Sequence, residues 1–155
     1  MRQFEPPQLQ SGVMNIATIR LDPMSRDDIP QLLQGLQYLY VTPSLREKVF
    51  HLLDEMIPPE IDRGTGRPGM ALWQILVLGV FRLNLNWDYD RLGEMANQHR
   101  TLRQMLGHRP EDETGYHVQT LKDNVSLLTP EILDRINQVV VHAGHQLVKK
   151  TKKKD

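Results

Sequence analysis

MALWQILVLGVFRLNL, residues 70–85, is the stretch that decides the fold. Leu72, Trp73, Ile75, Leu76, Val77, Leu78, Val80, Phe81 and Leu83 make it apolar nearly all round. A helix of that kind is stable only when other helices surround it. Gln74, Arg82 and Asn84 interrupt the run, which falls short of the roughly 20 apolar residues a bilayer crossing requires. The stretch therefore reads as a core helix at the centre of the fold, not a membrane span.

Downstream, Asn86 can supply a C-terminal stop, and Asp88 can cap a short helix carrying Tyr89, Leu92, Met95 and Ala96. A turn is expected at residues 98–100. Thr101-Leu102-Arg103-Gln104 has the spacing of a capping box and opens another short helix that Gly107 ends. Residues 108–115 read as a polar loop. Tyr116, Val118, Leu121, Val125 and Leu128 then space one more helix, whose other face carries Gln119, Thr120, Lys122 and Asn124.

Upstream, a helix beginning around residues 25–29 runs through Leu32, Leu33, Leu36, Leu39 and Tyr40. Thr42-Pro43 places a cap and a first-turn proline before Leu45, Val49, Leu52, Leu53, Met56 and Ile57, until Pro58-Pro59 stops that helix. The two can form a hairpin. Thr129-Pro130-Glu131 repeats the cap-and-proline start, and Ile132, Ile136, Val139, Val140, Ala143 and Leu147 form one stripe. No β-sheet is indicated.

The expected fold is thus all-α, a multi-helix bundle with a helix-turn-helix-like core and a long C-terminal helix. Residues 1–24 read as an irregular arm, 25–62 as a helical hairpin and 63–128 as the core. Residues 129–150 read as the long amphipathic helix and 151–155 as a lysine-rich tail. Residues 58–69, with Arg63-Gly64-Thr65-Gly66-Arg67-Pro68-Gly69, form a flexible basic loop and the most plausible internal boundary.

The chain has 155 residues, and its 19 basic side chains equal its 19 acidic ones. That balance argues against a nucleic-acid binder until the charges are placed. Residues 1–62 carry five basic and nine acidic side chains, 63–110 seven and three, 111–148 two and six, and 149–155 five and one. The neutral total conceals an arginine block and a lysine tail, each able to hold anions locally. Random sorting of surface charge can produce blocks of the same size. The absence of cysteine excludes a disulfide scaffold, a thiolate zinc site and a cysteine nucleophile. No basic start followed by an apolar run marks a signal peptide, so a cytoplasmic protein is expected.

The strongest constellation lies between Tyr89 and Asn124. Short helices on tight turns carry Arg91, His99, Arg100, Arg103, Arg109, Gln119, Thr120, Lys122 and Asn124 on their polar sides, as helix-turn-helix modules do. Arginine forks match phosphate and the guanine edge, while glutamine and asparagine match adenine. Many helical bundles have arginine-bearing surfaces without binding DNA. The acids Asp88, Asp90, Glu111 and Glu113 read as caps or solvated groups rather than magnesium ligands. His99, His108, His117, His142 and His145 read as packing or solvent histidines, since no ligand set completes zinc coordination. The Arg63 to Arg67 loop lacks the lysine and hydroxyl of a P-loop.

Gly66-Arg67-Pro68-Gly69-Met70, Leu72-Trp73-Gln74-Ile75-Leu76, Asp88-Tyr89-Asp90-Arg91-Leu92, Arg100-Thr101-Leu102-Arg103, Leu106-Gly107 and Leu121-Lys122-Asp123-Asn124-Val125 together resemble the N-terminal region of ISNCY-family insertion-sequence transposases. The resemblance runs from Gly66 to the lysine tail. It implies a DNA-binding part that recognises the terminal inverted repeats of a transposon as double-stranded DNA. It also implies that strand cleavage, with its Mg2+, belongs to a DDE catalytic domain expected to be absent from this chain, so no cofactor and no catalytic residue are expected here. On this reading Arg63, Arg67, Arg91, Arg100, Arg103 and Arg109 contact phosphates, and Gln119, Thr120, Lys122 and Asn124 read bases. A homodimer would suit an enzyme that pairs two element ends. The alternative is a non-enzymatic protein–protein interaction module, in which Leu45 to Ile57 and Ile132 to Leu147 bind a partner or a second copy.

Overall fold

The computed structural model describes residues 16–21, 27–57 and 70–142. Among the described residues seven α-helices follow one another: α1 Asp28–Val41, α2 Pro43–Met56, α3 Leu72–Leu85, α4 Tyr89–Gln98, α5 Arg100–Met105, α6 Val118–Val125 and α7 Pro130–His142. A 3-10 turn, Ile16–Thr18, precedes them. No strand occurs among the described residues, so the fold is all-α with several helices. None of those helices is long and apolar enough to cross a membrane.

The helix starts show how local chemistry selects these boundaries. Asp88 accepts a hydrogen bond from the Arg91 amide at 2.7 Å, and Thr129 accepts from the Ile132 amide at 3.2 Å, each satisfying an orphan donor of a first turn. Asn86 ends α3 in the left-handed conformation, φ 56° and ψ 42°, which asparagine tolerates better than most residues with a Cβ. The capping box expected at Thr101 is not formed. His99 caps α5 instead, its Nδ1 accepting from the Leu102 amide at 3.1 Å, and it is the sole residue between α4 and α5. Thr42 likewise turns backwards: its hydroxyl donates to the Tyr38 carbonyl at 2.7 Å rather than accepting from α2.

Helix α3 occupies the centre as its composition requires, with every residue from Leu72 to Phe81 except Gln74 buried. Helices α1, α2, α4 and α6 pack around it. The Trp73 ring lies 5.0 Å from that of Tyr40 on α1 and 6.3 Å from that of Phe50 on α2. Its indole N–H donates to the Met105 carbonyl at the end of α5, 2.7 Å away. One side chain thus ties three helices together. Burying an aromatic of this size supplies much of a core's apolar area.

A single cluster of buried apolar side chains runs from Ile16 to Val140 and draws on both sides of residues 58–69. Part of the expected irregular arm belongs to it. Ile16 and Ile19 are buried, and the Gln37 amide donates to both of their carbonyls at 2.9 and 2.8 Å. Helix α7 packs mainly along α2 rather than along α3, so Leu45, Val49 and Leu53 and the facing Ile132, Ile136 and Val140 are buried inside the chain. The expected continuation of α7 to residue 150 and the lysine tail lie outside the described residues.

Candidate nucleic-acid interface

Helix α6 is the element on which the expected base-reading residues sit, and the connection before it, residues 106–117, fixes its position. This connection is held by side chains rather than by secondary structure. His108, only 4% exposed, places Nδ1 2.8 Å from Asp112 Oδ2 and Nε2 2.6 Å from the Tyr116 hydroxyl. Hydrogen bonds from Thr114 and from His108 hold the Asp112 carboxyl well below the usual carboxylate range. A charged carboxylate can only accept, so Nδ1 carries the proton, Nε2 accepts, and Tyr116 donates to it. The phenolic oxygen then accepts from the Gln74 amide at 3.2 Å, and the same amide donates to the Leu106 carbonyl at 3.2 Å. The chain of donors and acceptors closes without a buried group left over.

Burial shifts the two rings in opposite senses, lowering the His108 pKa and raising that of Tyr116. Desolvation disfavours the charged form of each. Both shifts favour the neutral pair that the hydrogen bonds require. Asn97 adds a second clamp: its amide pairs with both backbone groups of Tyr116, accepting from the N–H at 2.6 Å and donating to the carbonyl at 3.1 Å. Tyr116 therefore lies outside the helix expected to begin with it, and α6 starts at Val118.

Leu121 and Val125 seat α6 against α3 and α4. Gly93 on α4 faces this helix with room to spare, since a Cβ there would make only ordinary contacts, 3.5 Å from Leu121 Cδ1 and 3.6 Å from Val118 Cγ2. Val118 is 36% exposed, although its spacing places it on the apolar stripe. Gln119 and Lys122, three residues apart on one helix face, are exposed.

The other expected contact residues separate into two kinds. Arg103 is engaged within the fold, with Nη1 donating to the Ala96 carbonyl at 3.1 Å and Nη2 to the carbonyls of Asp112 and Thr114 at 3.0 and 2.8 Å. Asn124 is also used internally, donating to the Thr120 carbonyl at 2.9 Å and accepting from the Met70 amide at 3.4 Å. Thr120 is half-buried. These three do not present their polar atoms as the exposed face of α6 does.

Arg91, Arg100, Arg109 and Lys122 are exposed and belong to four separate segments. Arg91 pairs with Glu94 at 3.0 Å and lies 5.8 Å over the Trp87 ring, while Arg109 pairs with Glu111 at 3.0 Å. Exposed pairs of this sort contribute about 0–1 kcal/mol, so a phosphate can displace the carboxylate at little cost. Gln119 donates to Asp123 at 2.9 Å, an exposed bond of similarly small net value. Arg63 and Arg67 lie outside the described residues.

The helix-turn-helix expectation meets two different connections here. One residue joins α4 to α5, and residues 106–117 join α5 to α6, whereas the DNA-binding motif uses a turn of roughly three to four residues. The longer connection is held by the side-chain clamps around Tyr116. Trp73 and Phe81 are fully buried, as core rather than stacking groups, and Trp87 stacks on Phe81 with ring centroids 5.6 Å apart. Among the described residues no three histidine or acidic side chains gather as a metal site. Compared with known proteins, the chain matches no family model, no curated protein and no solved structure.

Proposed function

We propose that the chain is a DNA-binding helical module of the kind that recognises the ends of a transposable element, with α6 as the helix that meets base edges. The observation that carries this reading is the construction of α6. A short helix is locked by buried Leu121 and Val125, by Asn124 and by the Tyr116 clamp, while Gln119 and Lys122 point outward. Binding groups held on a rigid, well-supported element lose little conformational freedom when a ligand arrives. Glutamine matches the adenine edge and lysine the guanine edge or a phosphate, and Val118 offers methyl groups to thymine. Arg91, Arg100 and Arg109 supply phosphate contacts, which fix register without reading sequence. Arg103, Asn124 and Thr120 act from behind, by holding the connection and the helix.

A mobility-shift comparison of a duplex carrying the flanking inverted repeat with a scrambled duplex tests the reading. The repeat should be preferred, and Gln119→Ala should lower the preference while leaving residual binding, because each good base pairing contributes roughly 1–3 kcal/mol of discrimination. Equal retardation of both duplexes by the unaltered chain would count against base reading by α6, and absence of any shift at low salt would remove the DNA assignment.

A further inference from the structure

Away from α6, the 3-10 turn and α5 enclose a cleft of about 400 Å3 lined by Thr18, Ile19, Arg20, Arg100, Thr101 and Gln104. Its lining is unusual for this chain. Among the described residues that form it are two guanidinium groups, two hydroxyls and one amide, but no carboxylate. Elsewhere Arg91 and Arg109 each have an acidic neighbour. Among the described residues, no hydrogen bond or ion pair engages the side chain of Arg20 or of Arg100.

Both walls are anchored independently of any ligand. The Arg20 wall is set by burial of Ile16 and Ile19 and by the Gln37 amide on their carbonyls. The opposite wall is set by burial of Leu102 and Met105, by the His99 cap and by the bond from Trp73 to the Met105 carbonyl. Arg100 and Gln104 are four residues apart and so lie on one face of α5, with Thr101 beside them. Two chain segments about 80 positions apart in sequence therefore present cationic forks and neutral donors to one space. Planar guanidinium forks are suited to oxyanions with several acceptor oxygens, and hydroxyl and amide donors complete such a shell. The volume falls in the range of small-ligand clefts.

We infer that this cleft is a phosphate site in which Arg20 and Arg100 grip the oxyanion and Thr101 and Gln104 complete its hydrogen bonds. Phosphate chemistry has two sources here, the backbone of bound duplex DNA or a free phosphate ester. Only the first source rests on the DNA-binding reading; the site itself does not. Gln37 acts as a positioning residue, because its amide fixes the turn that carries Arg20.

The test is a titration of the full 15N-labelled chain with inorganic phosphate, following arginine Nε and backbone amide resonances. Saturable shifts confined to Arg20, Arg100, Thr101 and Gln104 are expected. They should vanish in the Arg20→Ala, Arg100→Ala double variant and saturate at roughly tenfold higher phosphate in Gln37→Ala, as the loss of charge-assisted or supporting bonds requires. Unchanged tryptophan fluorescence, from Trp73 and Trp87 together, would report an intact fold. The same variants on duplex DNA identify the source. A salt dependence reduced by about one phosphate contact in Arg20→Ala points to the DNA backbone, whereas an unchanged dependence in a variant whose affinity for inorganic phosphate has fallen points to a free ester. Shifts that never saturate, or that persist in the double variant, overturn the site.

Discussion

His108 and Tyr116 meet edge to face, with ring centroids 5.5 Å apart and His108 Nε2 2.6 Å from the Tyr116 hydroxyl. This contact anchors the connection that delivers the chain to α6. Tyr116→Phe keeps the ring and removes the hydroxyl, stranding the His108 lone pair and one donor of Gln74. An unsatisfied buried polar group costs about 1–3 kcal/mol. Urea unfolding should show a loss of that size with an unchanged m-value.

Acid should weaken the fold before the carboxylates titrate. Burial lowers the pKa of His99 and of His108 below the ordinary histidine value of 6.5. The unfolded chain therefore takes up protons that the folded chain refuses. Stability from these groups is complete above pH 6.5 and declines as pH falls below it toward the folded values. Protonation of His99 would also abolish the acceptor that caps α5. His99→Asn, a good capping residue without a titrating ring, should flatten part of the slope in urea midpoint against pH between pH 6.5 and 5.

Two glycines in the core region should respond in opposite ways. A Cβ at position 79 would overlap Leu128 Cδ2 and stand 2.9 Å from Leu128 Cβ, whereas one at position 93 finds only ordinary contacts. Overpacking of this kind costs roughly 1–3 kcal/mol. Gly79→Ala should lower the thermal midpoint, and Leu128→Ala in the same chain should cancel much of that increment. Gly93→Ala should be neutral or stabilising by up to about 1 kcal/mol through helix propensity.

Several elements were legible in the residues alone. The all-apolar run gave the central helix, and Asn86, Asp88 and Thr129 marked boundaries that the backbone adopts. Such signals are local, and local signals survive folding when nothing distant competes. His99 outcompeted Thr101 as a cap because its ring nitrogen reaches the Leu102 amide. His108 sits in a stretch that reads as a polar loop, yet it is buried because Asp112 and Tyr116 satisfy both ring nitrogens.

Which polar side chains face solvent was less legible for a related reason. Composition cannot separate an arginine that faces solvent from one that braces carbonyls, and Arg103 and Arg100 look alike in sequence. Val118 has core spacing yet is 36% exposed, because periodicity marks a helix face and not how far the neighbouring helices extend over it. Arg20 carries a weak signal only: the three-residue spacing of Ile16 and Ile19 that seats its turn.

Arg103 and Arg100 should separate cleanly in experiment. Arg103→Lys cannot supply three donors in a fork, and loss of its carbonyl bonds should cost about 1–3 kcal/mol while leaving the salt dependence of DNA binding unchanged. Arg100→Ala should leave urea unfolding within about 0.5 kcal/mol, as exposed substitutions do, and should lower DNA affinity together with its salt dependence.

The most direct measurement is the affinity of the full chain for duplex DNA carrying the flanking repeat, taken as a function of salt. Each phosphate contact contributes about 0.9 to the slope of log affinity against log salt. A linear decline is predicted, with several contacts in the unaltered chain and a slope smaller by about 0.9 in Arg100→Ala. An affinity that does not change with salt, or no binding at low salt, would contradict the account.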